Sequence, residues 1–294
     1  MSTLNVALVQ QSCTPDRGVN VAASIAGIRD AAKQGAQVVT LQELHCGPYF
    51  PQREADENFA LAESIPGPST EEFGPIAREL GIVLVISLFE RRAPGVYHNT
   101  AVVLERDGTI AGTYRKTHIP DDPQFHEKFH FTPGDQGIRP IKTSAGTLGV
   151  LVCWDQWYPE AARLMALKGA DVLIYPTAIG WKSDEDAAER PRQLDAWRTI
   201  QRSHAIANGL PVIVANRTGF EPQPGGNDNG IHFWGSSFIA GCQGEILAEA
   251  SESGAQVLVA TLDRARTDDV RRAWPFFRDR RLDCYGGLLQ RYLD

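Results

Sequence analysis

Cysteine is scarce in this chain and does not pair up. The 294 residues hold five cysteines, Cys13, Cys46, Cys153, Cys242 and Cys284. They are odd in number, widely spread and without a C-x-x-C, which excludes a disulfide framework and points to free thiols in a reducing compartment. Positive charge is short as well: 29 Lys and Arg face 36 Asp and Glu, for a formal net charge of −7. That balance disfavours nucleic acid and anionic membranes as partners and is compatible with a cationic small molecule. No apolar run is long enough to span a bilayer, and no basic segment leads into an apolar one at the start. A cytoplasmic location is the expectation. Linkers, low-complexity runs and strong internal repeats are missing too, so a single domain over residues 1–294 is expected.

What the chain does have is apolar residues, 43% of the total, enough for a large core. Leu4–Gln10 reads as a buried strand, and Val19–Gly35 has helical periodicity with a glycine stop. A second strand ends near Leu41. Ser69 and Glu72 form an S-x-x-E capping pattern for a helix reaching Gly81. After a third strand, "NTAVVLERDGTIAGTYRK" reads as a hairpin turning at Asp107-Gly108. An irregular stretch follows, and then a strand runs into Cys153. Beyond it the pattern gives a helix over about Pro159–Lys168, the strand "DVLIYP", a helix over Glu189–Asn208 and the strand "PVIVAN". "WGSSFIAGCQGEILAEA" reads as a second hairpin and "AQVLVATLD" as a last strand. Strands and helices alternate, so the class is α/β, and the hairpins make the sheets mixed.

Residues just past strand carboxyl ends tend to converge on one crevice in such folds. Glu43, Lys116 and Cys153 occupy three such places. Each has a plainer reading alone: the cysteine as a small buried hydrophobe, the two charges as solvated loop residues. Together they form a set suited to acyl transfer. A thiolate attacks a carbonyl, a carboxylate carries the proton, and an ammonium with a backbone N–H holds the oxyanion. Pro159 suits the first turn of the following helix, whose N-terminal end would help lower the thiol pKa.

Three blocks, "LQELHCGPYF", "YRKTHIPDDPQFHEKFHFTPGD" and "LGVLVCWDQWYPEAARLMALKGADVLIYPTAIG", in this order, resemble the signature blocks of the nitrilase superfamily of carbon–nitrogen hydrolases. "FRDRR" near the end extends the likeness over essentially the whole chain. The resemblance implies a four-layer α-β-β-α sandwich, usually dimeric or larger. It also implies Glu43 as general base, Lys116 as oxyanion support, Cys153 as nucleophile and Glu127 as a second, positioning glutamate, with no cofactor. The second oxyanion donor would be the backbone N–H of Trp154. Within the superfamily, "CWDQWYPEAAR" and "YPTAIG" look most like the branch that removes the carbamoyl group from N-carbamoylputrescine. The far end of such a substrate is an ammonium, which calls for carboxylates or aromatic faces. Tyr49, Asp155, Trp181 and Asp184 are the candidates. The loop over residues 181–190 departs from that branch, with Lys182 where an acid is expected. The same chemistry on another amide, a carbamoyl amino acid or a nitrile therefore stays open, as does a binding module that keeps the fold without the chemistry.

"HEKFH" (His126–His130) matches the H-E-x-x-H of zinc proteases. Prolines and glycine on either side leave barely two helical turns, and no third ligand stands out, so no metal is expected and zinc proteolysis stays only as a remote alternative. "RRAWPFFRDRR" mixes basic and aromatic residues, as single-strand binders do. Interleaved aspartates make a solvated or intersubunit tail the better reading. The resemblance likewise implies that residues 263–294 pack at a subunit interface.

Overall fold

The computed structural model describes residues 3–225 and 229–293. Two six-stranded mixed sheets form its centre. Across the first, the strands run Gln256–Asp263, Thr3–Gln10, Val38–Leu41, Val83–Ala93, Val96–Leu104 and Ile110–Arg115. Across the second they run Ile246–Glu249, Phe238–Ala240, Val212–Ala215, Val172–Pro176, Gly146–Val150 and Ile141–Thr143. In each sheet three strands pair in parallel and the flanking ones are antiparallel. The parallel strands are buried on both faces, which is why they read as unbroken Val/Ile/Leu runs.

The largest apolar cluster joins the sheets, with Val6, Leu8, Val85, Val103 and Tyr114 on one side and Leu148, Val150, Ile174 and Ile213 on the other. A second cluster packs the helices Arg17–Lys33 and Pro68–Leu80 on the outer face of the first sheet. The helices Pro159–Leu167 and Glu189–Asn208 cover the outer face of the second through Ala162, Met165, Leu194 and Trp197. The result is the four-layer α-β-β-α sandwich expected. Burying each large side chain contributes roughly 1.5–3 kcal/mol, so the two sheets are committed to one another by this layer. Among the described residues no helix is long and apolar enough to cross a membrane.

Local structure departs from expectation in three places. The Pro68–Leu80 helix is not capped by Ser69. Thr70 Oγ1 accepts from Gly67 N at 2.9 Å, while the Ser69 N–H and hydroxyl both donate to Glu63, at 2.6 and 2.5 Å. Pro68, its φ preset for a helix, takes the first position. The strand before Cys153 stops at Val150, and Cys153 opens a short 3-10 turn, Cys153–Trp157. A third sheet, Gly180–Lys182, Gly230–Trp234 and Thr218–Pro222, was not expected. Its strands are short, broken by Pro and Gly, and without a clean alternation.

Candidate active site

The carboxyl ends of strands from both sheets meet at one place. Glu43 lies two residues past Leu41, Lys116 directly follows the strand ending at Arg115, and Cys153 lies three past Val150. Strand alternation sends Arg115 one way, to Glu90 (2.6 and 2.8 Å), and Tyr114 and Lys116 the other. Gly134 lets the next segment clamp this strand end. Its N–H donates to Lys116 O at 2.8 Å, and a Cβ there would lie 2.1 Å from Arg115 O.

Lys116 is fully buried and donates to two fully buried carboxylates, Glu43 Oε1 at 2.9 Å and Glu127 Oε2 at 2.6 Å. Asn99 Nδ2 also donates to Glu43 Oε1, at 2.6 Å, and Tyr49 Oη donates to Glu127 Oε1 at 2.6 Å. Glu43 Oε2 has no partner among the described residues. An unpartnered carboxylate oxygen in a buried site is a ready proton acceptor. Burial disfavours the charge on Lys116, but Glu127 and Glu43 outweigh it and raise its pKa, so it stays an ammonium. Burial also pushes the Glu127 carboxyl up to about 7, against the pull of Lys116. Two carboxylates sharing one ammonium cannot both ionise freely.

Cys153 sits at φ +42°, a left-handed conformation uncommon outside glycine, at the first residue of the 3-10 turn. Its thiol lies 3.8 Å from Ala178 O. Burial, then Glu43, push the thiol pKa well above its usual value, with Lys116 pulling the other way. The net direction is opposite to the help expected from the Pro159 helix end, because burial leads. Burial favours the neutral thiol, and an attack from it needs a base. Trp154 is the second residue of the 3-10 turn, where helical geometry leaves an N–H without an internal acceptor.

A cavity of about 440 Å³ opens on to Cys153, with Trp154, Trp157 and Trp234 supplying aromatic wall and Glu127, Lys182 and Glu185 charge. The four residues expected to hold the substrate tail are not among those lining it. Tyr49 is buried behind Glu127 and orients it. Asp155 is fully buried and saturated: Tyr114 Oη, His118 N and Val152 N donate to it at 2.9, 2.9 and 3.0 Å, and His118 Nδ1 lies 2.7 Å away. It ties the Cys153 turn to the Lys116 segment and has no capacity left for a ligand. Trp181 turns its Nε1 to Arg190 O at 3.1 Å and packs on Trp234. Asp184 points into solvent, and Glu185 takes the place by the cavity.

His126 and His130 lie at the two ends of a single helical turn, Glu127–His130 flanked by His126 as its cap. Glu127 faces Lys116, whereas His130 packs between Phe50 and Phe59 with Nε2 3.2 Å from Asn58. The two halves of the H-E-x-x-H match thus serve different surroundings.

Sequence reasoning missed Asn99, Arg217 and Glu221. Asn99 lies between His98 and Thr100 on the strand Val96–Leu104, so nothing in the sequence sets it apart from its polar neighbours. Arg217 follows "PVIVA" at the same kind of strand end as the other three, and that position was the available signal. Fully buried, its guanidinium donates to Glu43 O, Leu44 O and Gly47 O at 3.0, 2.8 and 2.8 Å and to Glu221 Oε1 at 2.5 Å. Glu221 Oε2 in turn accepts from Tyr49 N at 2.6 Å.

A carbon–nitrogen hydrolase family model matches residues 5–272. The chain is 42% identical to an N-carbamoylputrescine amidase from Solanum lycopersicum, over 97% of this chain and 95% of that one. It is 39% identical to a citrullinase from Francisella tularensis, over 99% and 100%. The crystal structure of a carbon–nitrogen hydrolase from Helicobacter pylori G27 superposes with a TM-score of 0.96 at 51% identity, covering 99% of this chain and all of that one. With the sandwich, the convergent strand ends and these relatives together, the chain belongs to the carbon–nitrogen hydrolases of the nitrilase superfamily.

Proposed function

We propose that this enzyme hydrolyses N-carbamoylputrescine to putrescine, CO₂ and ammonia, with Cys153 as nucleophile, Glu43 as proton carrier, and Lys116 and the Trp154 N–H as oxyanion donors. The observation that carries this reading is the free Glu43 Oε2 in one buried cluster with the Lys116 amine and the Cys153 thiol. Glu43 takes the Sγ proton as sulfur bonds to the ureido carbon. The oxygen gains a negative charge, which the ammonium and the N–H meet. The C–N bond then breaks, and Glu43 returns its proton to the departing nitrogen. Water attacks the remaining thioester and gives Glu43 a proton, which passes to the sulfur as it leaves. The carbamic acid released loses CO₂. One water is consumed, and Glu127 and Tyr49 keep Lys116 in place throughout.

Similarity to an amidase of this substrate supports the choice of ureide, and Glu185 at the cavity supplies the carboxylate that a tail ammonium needs. We further propose a cytoplasmic enzyme that acts as a homodimer or larger assembly, with the tail from about residue 263 at the subunit contact.

Ammonia release from a small panel of ureides and amides tests the function. N-carbamoylputrescine should be turned over far better than N-carbamoyl-β-alanine, whose tail is an anion; the reverse ranking would overturn the reading. Cys153→Ala should lower turnover by about 10⁴-fold or more with the fold retained by circular dichroism. Ammonia release near the wild-type rate would remove Cys153 from the reaction.

A further inference from the structure

The outer part of the cavity carries both signs of charge. Lys182 ends the short strand Gly180–Lys182, and a turn with Glu185 N donating to Lys182 O at 3.0 Å brings Glu185 to the same wall. Asp122 stands at the same cavity, exposed. Among the described residues Glu185 has no ion-pair partner, and Lys182 meets only the exposed Asp184, at 3.9 Å. Both charges are half-buried, held by a turn, and left for a ligand. A substrate tail bearing only an ammonium would use Glu185 and be repelled by Lys182.

Chain length decides what else fits. In N-carbamoylputrescine four carbons separate the ureido nitrogen from the ammonium. In an ω-ureido α-amino acid such as citrulline, four carbons again separate them, and the carbon bearing the ammonium also bears a carboxylate. With the ureide at Cys153, the two ammonium groups coincide, and the added carboxylate branches off beside them.

We propose that Lys182 and Glu185 form a dipolar subsite, and that the enzyme also hydrolyses ω-ureido α-amino acids. The inference rests on the ureide chemistry proposed above. The balance is unchanged: citrulline and one water give ornithine, CO₂ and ammonia. Glu185 takes the ammonium in both substrates, and Lys182 takes the carboxylate in the second.

The test is kcat/KM by ammonia release for N-carbamoylputrescine and L-citrulline, with wild type, Lys182→Ala and Glu185→Gln. Wild type should hydrolyse both. Lys182→Ala should lose about tenfold or more on citrulline and gain up to about fivefold on N-carbamoylputrescine, since a repelling charge is removed from one tail and a partner from the other. Glu185→Gln should lose about tenfold on both. The inference is overturned if wild type leaves citrulline intact while cleaving N-carbamoylputrescine, or if Lys182→Ala lowers both alike. If citrulline is cleaved and N-carbamoylputrescine is not, the preceding reading fails and the dipolar subsite stands.

Discussion

Glu127 shares the single Lys116 ammonium with Glu43. Protonating Glu127 removes one of the two carboxylates that hold that ammonium in place. Burial holds the Glu127 carboxyl near 7 instead of 4.5, so kcat/KM should rise with pH through a limb near 7 that belongs to the cluster as a whole. The stability sign follows the same way. A carboxyl raised in the folded state binds more protons than in the unfolded one between 4.5 and 7, so its contribution is full below that window and falls as pH climbs through it. The Tyr49 hydroxyl favours the ionised form, so Tyr49→Phe should move the limb to higher pH by up to about one unit. A pH profile with the limb unmoved would detach Tyr49 from the proton chemistry. At this scale the sequence brought Glu43, Lys116 and Cys153 forward as candidates, because strand ends and block resemblance both mark them, and the structure places them at one buried site. It misplaced Tyr49 and Asp155 as ligands for substrate. A buried tyrosine or aspartate looks the same in a sequence whether it meets a substrate or another side chain.

The loop over residues 43–49 has to hold Glu43 on one side and Tyr49 on the other, and it does so with Leu44 at φ +49°. Arg217 and Glu221 hold that loop from the neighbouring sheet, by three carbonyls and one N–H. The pair is itself fully buried, so its worth lies in the partner that removal would strand. Arg217→Met should destabilise the fold by about 3–5 kcal/mol, leaving Glu221 unpaired in the interior. Arg217→Met with Glu221→Gln should cost less than the sum of the single changes, by chemical denaturation. Strict additivity would mean that the two groups act independently. The helices and the long strands were legible as elements because each keeps one period over many residues. The third sheet was not, since strands of three to five residues with Gly and Pro carry too little pattern. Glu221 lies on one of those strands, so the sequence left the loop without its anchor.

Alternation of strand and helix foretold the class, but a sequence does not say which strands share a sheet, and the four layers came from resemblance. The surface they leave is uneven. The segment after Ala273 exposes Trp274, Leu282 and Leu288, with Leu289 at 95% and Tyr292 at 86%. Phe277 anchors its start on the body through Arg163 and Arg271, whose guanidinium carbons lie 4.9 and 5.5 Å from the ring centroid. Arg163 belongs to the Pro159–Leu167 helix, where Leu164 and Leu167 also stand exposed, and Ile206 is exposed on the helix alongside. Scattered apolar residues on a surface need no explanation, but a run of them on an arm fixed at one end does. Folding alone gives this arm almost nothing to bury. A second copy of the chain laid over the arm and the two helices would remove that surface from water at roughly 25 cal/mol per Å². The full chain should therefore sediment as a dimer or larger species, and a chain ending at Ala273 as a smaller one with its ammonia-releasing site still folded. A full chain that sediments as a monomer would leave the arm unexplained by self-association, and a truncated chain of unchanged size would place the contact elsewhere.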